Sequence, residues 1–476
     1  METTMNKAKS AKTIVALLAI LIVLTMNVST AQTHLSTKVD HNTLTEVPPG
    51  NVIWAKTYGG AADDRAFYAL TTDDGYLVVG SSRSIVANTT VGRVLKLNGI
   101  GDVIWNKTFL RGHGTELRYA INLTEGYLLI GNEFFASGQV SGYIARINNQ
   151  GNLQWMKVIS GGATGKLFSG IAVNDGFVVF GLSSKNIGGA SLVWAVKLDV
   201  TGHIIWSRTY GVSSDSAARS GLLTKEGDYL VTGYSDTLGN GNYDFCLLKL
   251  NANGDIIWNT TYGGEGSQKA YSITKANGGY VVVGDIQLPN SATDAWVLKV
   301  DSAGNVLWNQ SVGGKDADSA AYITTSMDGG YIVSGFTFSF GAGNRDFLVF
   351  KISDCGEVLW SSTQGDKGFQ EAYTVTETAN NTYVMVGWTD QIDQPALIGE
   401  GIYDFSIVEL VPAQNSKGLS IVQLIIYSLV AIAISIVTFV LLFKLRVKGK
   451  TIIRAKKDFY GTNFKNSTLR VLTKAV

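Results

Sequence analysis

Short apolar runs, each bounded by Asn, Asp or Gly, recur along most of this chain. The clearest are GYLVVG (75–80), GYLLIG (126–131), GFVVFG (176–181), DYLVTG (228–233), GYVVVG (279–284), GYIVSG (330–335) and TYVMVG (382–387). They are rich in β-branched and aromatic residues and too short for helices, and their flanks supply the positive-φ positions of hairpin turns. Nearly continuous apolar character predicts strands buried on both faces, as in a sheet sandwiched between two others.

A second pattern sets the repeat. Trp54, Trp105, Trp155, Trp206, Trp258, Trp308 and Trp360 recur at intervals of 50–52 residues. A fixed period of this size marks a propeller or a solenoid. Each repeat reads as four strands. Strand a resembles AYSITKA (270–276), strand b is one of the runs above, strand c resembles DFCLLKL (244–250), and strand d carries the Trp, as in VIWAKTYGG (52–60). The series begins with a d strand at 52–58 and ends with a c strand at 404–410. Seven complete units therefore require the first strand to pair with the last, which also removes two open sheet edges. The expected fold is an all-β, seven-bladed β-propeller over 51–410, closed by its N-terminal strand.

The c–d turn with its Trp strand, as in KLDVTGHIIW (197–206) and KVDSAGNVLW (299–308), resembles the tryptophan-docking motif of quinoprotein-like propellers. The fuller unit, W-x-K-T-Y-G-G followed by D-G-G-Y, is similar to repeats of archaeal and bacterial cell-surface propeller proteins. This resemblance implies a propeller fold and an envelope location. Quinoprotein dehydrogenases typically have eight blades and a vicinal cysteine pair over the cofactor. Here there are seven repeats and no adjacent cysteines, so no cofactor is expected.

Targeting signals change the picture of where the repeats sit. Lys7, Lys9 and Lys12 precede an apolar run and Ser29-Thr30-Ala31, which reads as a signal peptide over 1–31. Residues 32–50, polar and containing Pro48-Pro49, read as a flexible leader. After a linker at 411–418, Leu419 to Phe443 contain no charged residue, enough for one C-terminal transmembrane helix. The tail 444–476 carries ten Lys or Arg against one Asp, placing it on the cytoplasmic side and the propeller outside the cell. The chain is +1 overall, so +9 in the tail and +2 in residues 1–31 leave −10 for 32–443. An acidic ectodomain argues against nucleic acid as a partner. The basic tail suits anionic lipid.

Candidate chemistry is sparse. The histidines, His34, His41, His113 and His203, fall in the leader or in different repeats, which offers no metal site or triad. An Asp opens strand c in four repeats (Asp244, Asp294, Asp346, Asp404); a ring of carboxylates for a cation is the alternative to a turn-capping role, which is favoured. Asp63-Asp64 and Asp316-Ala317-Asp318 lack the ligand spacing of a calcium loop. Lys96, Arg146, Lys197, Lys249, Lys299 and Lys351 end strand c, with Glu409 in the last repeat. Cys246 and Cys355 lie in separate repeats and are expected to be free thiols.

The b–c loops are long and unlike one another, whereas the a–b and c–d turns are short. Loop aromatics Phe336, Phe338, Phe340, Trp388 and Tyr403 are thus the candidate partner contacts. The expected function is surface binding or adhesion toward an extracellular protein or glycan. The alternative is a quinone-dependent oxidoreductase or a hydrolase working in the channel, which a basic cofactor pocket there would favour.

Overall fold

A computed structural model of the chain describes residues 40–43, 48, 50–86, 88–211, 215–236, 242–390 and 403–412. All of them belong to the first of two compact parts, 1–414. The expected signal peptide, transmembrane helix 419–443 and basic tail lie outside the described residues. Among the described residues no helix is long and apolar enough to cross a membrane.

The described chain is all-β and propeller-like. Consecutive strands pair antiparallel into four-stranded meanders, units one to six running from strand a to strand d. The inner a strands are Asp64–Thr72, Gly114–Asn122, Thr164–Val173, Ser216–Leu223, Ser267–Ala276 and Asp318–Thr325. A seventh unit takes Gln370–Glu377, Tyr383–Asp390 and Tyr403–Val411 from the end of this region. Its outer strand is Asn51–Tyr58, paired antiparallel with Tyr403–Val411 so that Thr57 lies opposite Ser406.

Strand alternation explains how the units stack. In strand b of unit one, Leu77 and Val79 join Leu117, Leu129 and Ala145 of unit two, while Tyr76 and Val78 join Val386, Phe405 and Ile407 of unit seven. Successive residues point to opposite faces of a strand, so both faces must be apolar. Each of seven apolar cores bridges two neighbouring units, and the last returns to unit one.

The tryptophans lock these seams. A glycine with positive φ ends each c–d turn, and its Cα lies against the Trp of the preceding unit. A Cβ added at Gly101, Gly151, Gly202, Gly254, Gly304 or Gly356 would sit 2.8–3.4 Å from the ring of Trp54, Trp105, Trp155, Trp206, Trp258 or Trp308 respectively. The indole N–H also reaches that turn: Trp105 donates to the Asn149 carbonyl, Trp206 to Ala252 and Trp308 to Asp354, at 3.0–3.2 Å. The motif tyrosine does the same, Tyr210 and Tyr262 donating to the carbonyls of Gly254 and Gly304. Unit seven has no c–d turn, because its c and d strands are the two ends of the domain. There Trp54 donates to Glu409 at 2.5 Å, and Glu409 also accepts from Thr382. The Glu in place of Lys thus ties the outer strand to the strand it pairs with.

Two sequence features find structural partners. The strand-c lysines ion-pair with turn carboxylates, Lys197 with Asp175 at 2.8 Å and Lys299 with Asp354 at 2.5 Å. The Asp opening strand c is buried at Asp244, Asp346 and Asp404, packed against the first Gly of the motif. A Cβ at Gly59, Gly263 or Gly365 would fall within 1.7 Å of an oxygen of Asp404, Asp244 or Asp346. Asp346 additionally accepts from the b–c loop at Gly343, as expected of a turn cap. None of these carboxylates lines the central cavity.

Part of the leader lies along the outer strands. Asp40–Thr43 pairs in parallel with the outer strand Val306–Gly313 of unit five, and the Pro48 carbonyl accepts from the Thr363 N–H on the outer strand of unit six. These outer strands have open N–H and C=O groups, and the leader satisfies some of them.

Gly202→Ala is expected to destabilise the domain by about 2 kcal/mol, since φ is +82° and the new methyl meets Trp155. Equilibrium denaturation checks this. Cys246 is buried, its thiol pushed up to about 12 by that burial, and Cys355 is exposed; both are free. A maleimide should label Cys355 in the native protein and Cys246 only after unfolding, counted by mass spectrometry.

Candidate functional site: the central cavity

Every a strand carries a β-bulge at the same position. Register slips between Ala66 and Tyr68, Leu117 and Tyr119, Leu167 and Ser169, Ala218 and Ser220, Ala270 and Ser272, Ala320 and Tyr322, and Ala372 and Thr374. A bulge puts two residues of one strand opposite one of its partner and re-aims a side chain. The extra residues are Phe67, Arg118, Phe168, Arg219, Tyr271, Ala321 and Tyr373, and all seven line one cavity of about 400 Å³. Tyr68, Tyr119 and Tyr322 line it too, with rings of Tyr68 and Tyr119 4.0 Å apart and Tyr68 and Tyr322 6.0 Å apart.

Cations and rings alternate around this wall. The Arg118 guanidinium lies 3.9 Å from the Phe67 ring, and Arg219 lies 4.3 Å from Phe168 and 5.4 Å from Tyr271. Tyr373 meets Phe67 at 5.4 Å, closing the circle past unit one. Where unit six offers only Ala321, Phe336 and Arg345 from its b–c connection reach the cavity. Phe336, Arg345, Asp285 and Glu371 all lie near the strand ends that carry the b–c loops, so the cavity is at that end. A neighbouring recess shares Phe67, Arg118 and Tyr373 and adds Arg65, Arg83 and Glu116.

Charges are mostly matched. Arg118 pairs with Glu116 and Arg345 with Glu371, each at 2.5 Å. Burial raises the Glu371 carboxyl and Arg345 opposes it. Asp285 accepts from Ser319 at 2.5 Å and from the Tyr271 hydroxyl at 2.9 Å; burial nevertheless pushes its carboxyl up to about 6. Burial also raises the hydroxyls of Tyr68, Tyr119 and Tyr322, which stay neutral. Among the described residues no group of three His, Cys, Asp or Glu could hold a metal. Neither cysteine lines the cavity, so the residues present do not fit a quinone held beneath vicinal cysteines.

Of the loop aromatics, Phe336 lines the cavity. Phe336 and Phe338 meet edge to face at 5.8 Å, with Arg345 4.2 and 4.9 Å from their rings. Trp388 and Tyr403 form a similar pair at 4.4 Å under Arg65. Trp388 is only 5% exposed, and Phe340 packs against the core between units five and six. Phe340 and Trp388 therefore support loops. The bulge residues were not singled out from sequence, although their column was readable: it varies as Phe, Arg, Phe, Arg, Tyr, Ala, Tyr beside a column restricted to Ala and Leu.

This all-β architecture of four-stranded units around a central cavity is propeller-like. Solved structures similar to the chain include the WD40 domain of Neurospora crassa Pan2, with 10% identity over 78% of this chain and 99% of that one and a TM-score of 0.45. The WD40 domain of Toxoplasma gondii coronin has 11% identity over 78% and 89%, with a TM-score of 0.42. A putative 6-phosphogluconolactonase from Bacteroides uniformis has 11% identity over 74% and 98%, with a TM-score of 0.43. No family model matches the sequence. No curated protein matches it either.

Asp285→Asn gives a pH test of the cavity. A carboxyl raised in the folded state is disfavoured when charged, so its cost grows as pH rises from about 4 through about 6. The variant should be more stable than wild type by up to about 2 kcal/mol at pH 7, with the difference vanishing near pH 4. Urea denaturation at the two pH values checks it.

Proposed function

We propose that the chain is a seven-bladed propeller, closed by its N-terminal strand, that is held outside the cell by one C-terminal transmembrane helix and binds an extracellular protein or glycan. The observation that carries the binding reading is the ring of seven bulges. A bulge weakens the ladder that stabilises a strand, and here each one turns a side chain of variable chemistry toward a single cavity. The blade count is supported by the seven seams, and the envelope location by the signal-like N-terminus, the uncharged stretch 419–443 and the resemblance to surface repeats. Strand c of the last unit ends at the c–d end of the blades. Exposed aliphatic pairs such as Ile204-Ile205 and Ile256-Ile257 follow the c–d turns.

Among the described residues no concerted acid, base and nucleophile set supports the enzyme reading, and two of the three cavity arginines are occupied by carboxylates.

A screen of glycans and secreted proteins against the full-length chain in nanodiscs tests binding. Any ligand found should lose at least tenfold in affinity on Tyr373→Ala, and change little on Asp102→Ala in a c–d turn. The reverse result would place the site on the opposite face. Protease added to intact cells should remove the propeller and leave the tail; intact chain after such treatment would place the propeller inside.

A further inference from the structure

We propose that Arg219 anchors the carboxylate of an acidic saccharide in the central cavity. This deepens the binding reading above and rests on it.

Arg219 differs from the other cavity arginines. Arg118 and Arg345 each hold a carboxylate at 2.5 Å. Arg219 lies 4.3 Å from the Phe168 ring and 5.4 Å from the Tyr271 ring, and among the described residues its N–H groups have no hydrogen bond or ion pair. A guanidinium carries five N–H donors in a planar fork, and Arg219, partly exposed, lines the cavity. Burial disfavours its charged form, and Tyr234 and Tyr271 oppose that. A structural arginine would have been given a carboxylate, as its two neighbours were. The edge of such a fork binds a carboxylate through two parallel hydrogen bonds.

The rest of the wall selects what carries that carboxylate. Aromatic rings suit the C–H faces of a sugar ring, and Ser220, Ser272 and Ser319 add hydroxyls. Asp285, already accepting from Tyr271 and Ser319, keeps lone pairs for hydroxyl donors. Asp285 and Glu371 would repel a multiply charged phosphate. About 400 Å³ is within the range of small-ligand sites. One unpaired cation, carboxylate acceptors and aromatic faces together describe a polyhydroxylated monoanion.

The test uses the full-length chain in nanodiscs, with sodium glucuronate, glucose and glucose 6-phosphate as probes in calorimetric titrations at pH 7. Glucuronate should bind at least tenfold more tightly than either other sugar. R219Q should lose that preference, and R219K should keep part of it. Without sugar, R219M should match or exceed wild type in thermal midpoint, because an unmatched charge is gone. Equal binding of glucuronate and glucose removes the carboxylate assignment while the cavity stays the binding site. Preference for the phosphate, or no binding of any sugar, overturns the saccharide assignment, and ligands from the wider screen still report on the cavity. A fall of several degrees in R219M would make Arg219 a structural clamp and overturn the proposal.

Discussion

The indoles of six strand-d tryptophans, Trp54 to Trp308, rest on the glycine of the next unit's c–d turn, and the geometry of the ring depends on that contact. Its two halves belong to different repeats, so no unit can satisfy it alone. The ring contributes apolar burial on the order of 2–3 kcal/mol, and at Trp105, Trp206 and Trp308 its N–H meets a turn carbonyl. Positive φ and the absence of a side chain are both required of the glycine, as at Gly202 and Gly356. One residue pair per unit therefore sets the spacing of neighbouring sheets. Unit seven lacks the turn, so Trp360 of unit six has no such glycine and packs beside Tyr383, ring centroids 5.0 Å apart.

With the outer edges held this way, the inner strands converge on one cavity, where space is short. Small or branched residues at the seam positions, such as Ala66, Leu117 and Ala218, let the sheets approach. The neighbouring bulge residue is excluded from the seam and goes to the cavity. Packing dictates the first column and leaves the second free to vary. Structural demand and binding capacity are thus separated by a single residue along each strand.

Electrostatics divide along the same line. Carboxylates crowd the short turns, where strand-c lysines such as Lys197 and Lys299 meet them. Arginines gather at the cavity, stacked on rings that shield their faces. An acidic exterior around a cavity with an unmatched guanidinium would hold off most polyanions while leaving room for a small monoanion.

The chain's periodicities alone determined the strands, the seven-fold repeat, the pairing of the first strand with the last and the separation of the two cysteines. These follow from local rules: period-two burial, turn residues at fixed offsets, and a Trp that returns every 50–52 residues. Tertiary structure decided the rest. Bulges at Arg118, Arg219 and Tyr271 are slips in register between two strands, and a register slip leaves no mark in one strand's own pattern. Sequence distance likewise hid the ties of Arg345 to Glu371 and of Pro48 to Thr363, which depend on how units meet. Phe336 and Trp388 looked alike as loop aromatics, yet one lines the cavity and the other is buried, because exposure belongs to the packed ring.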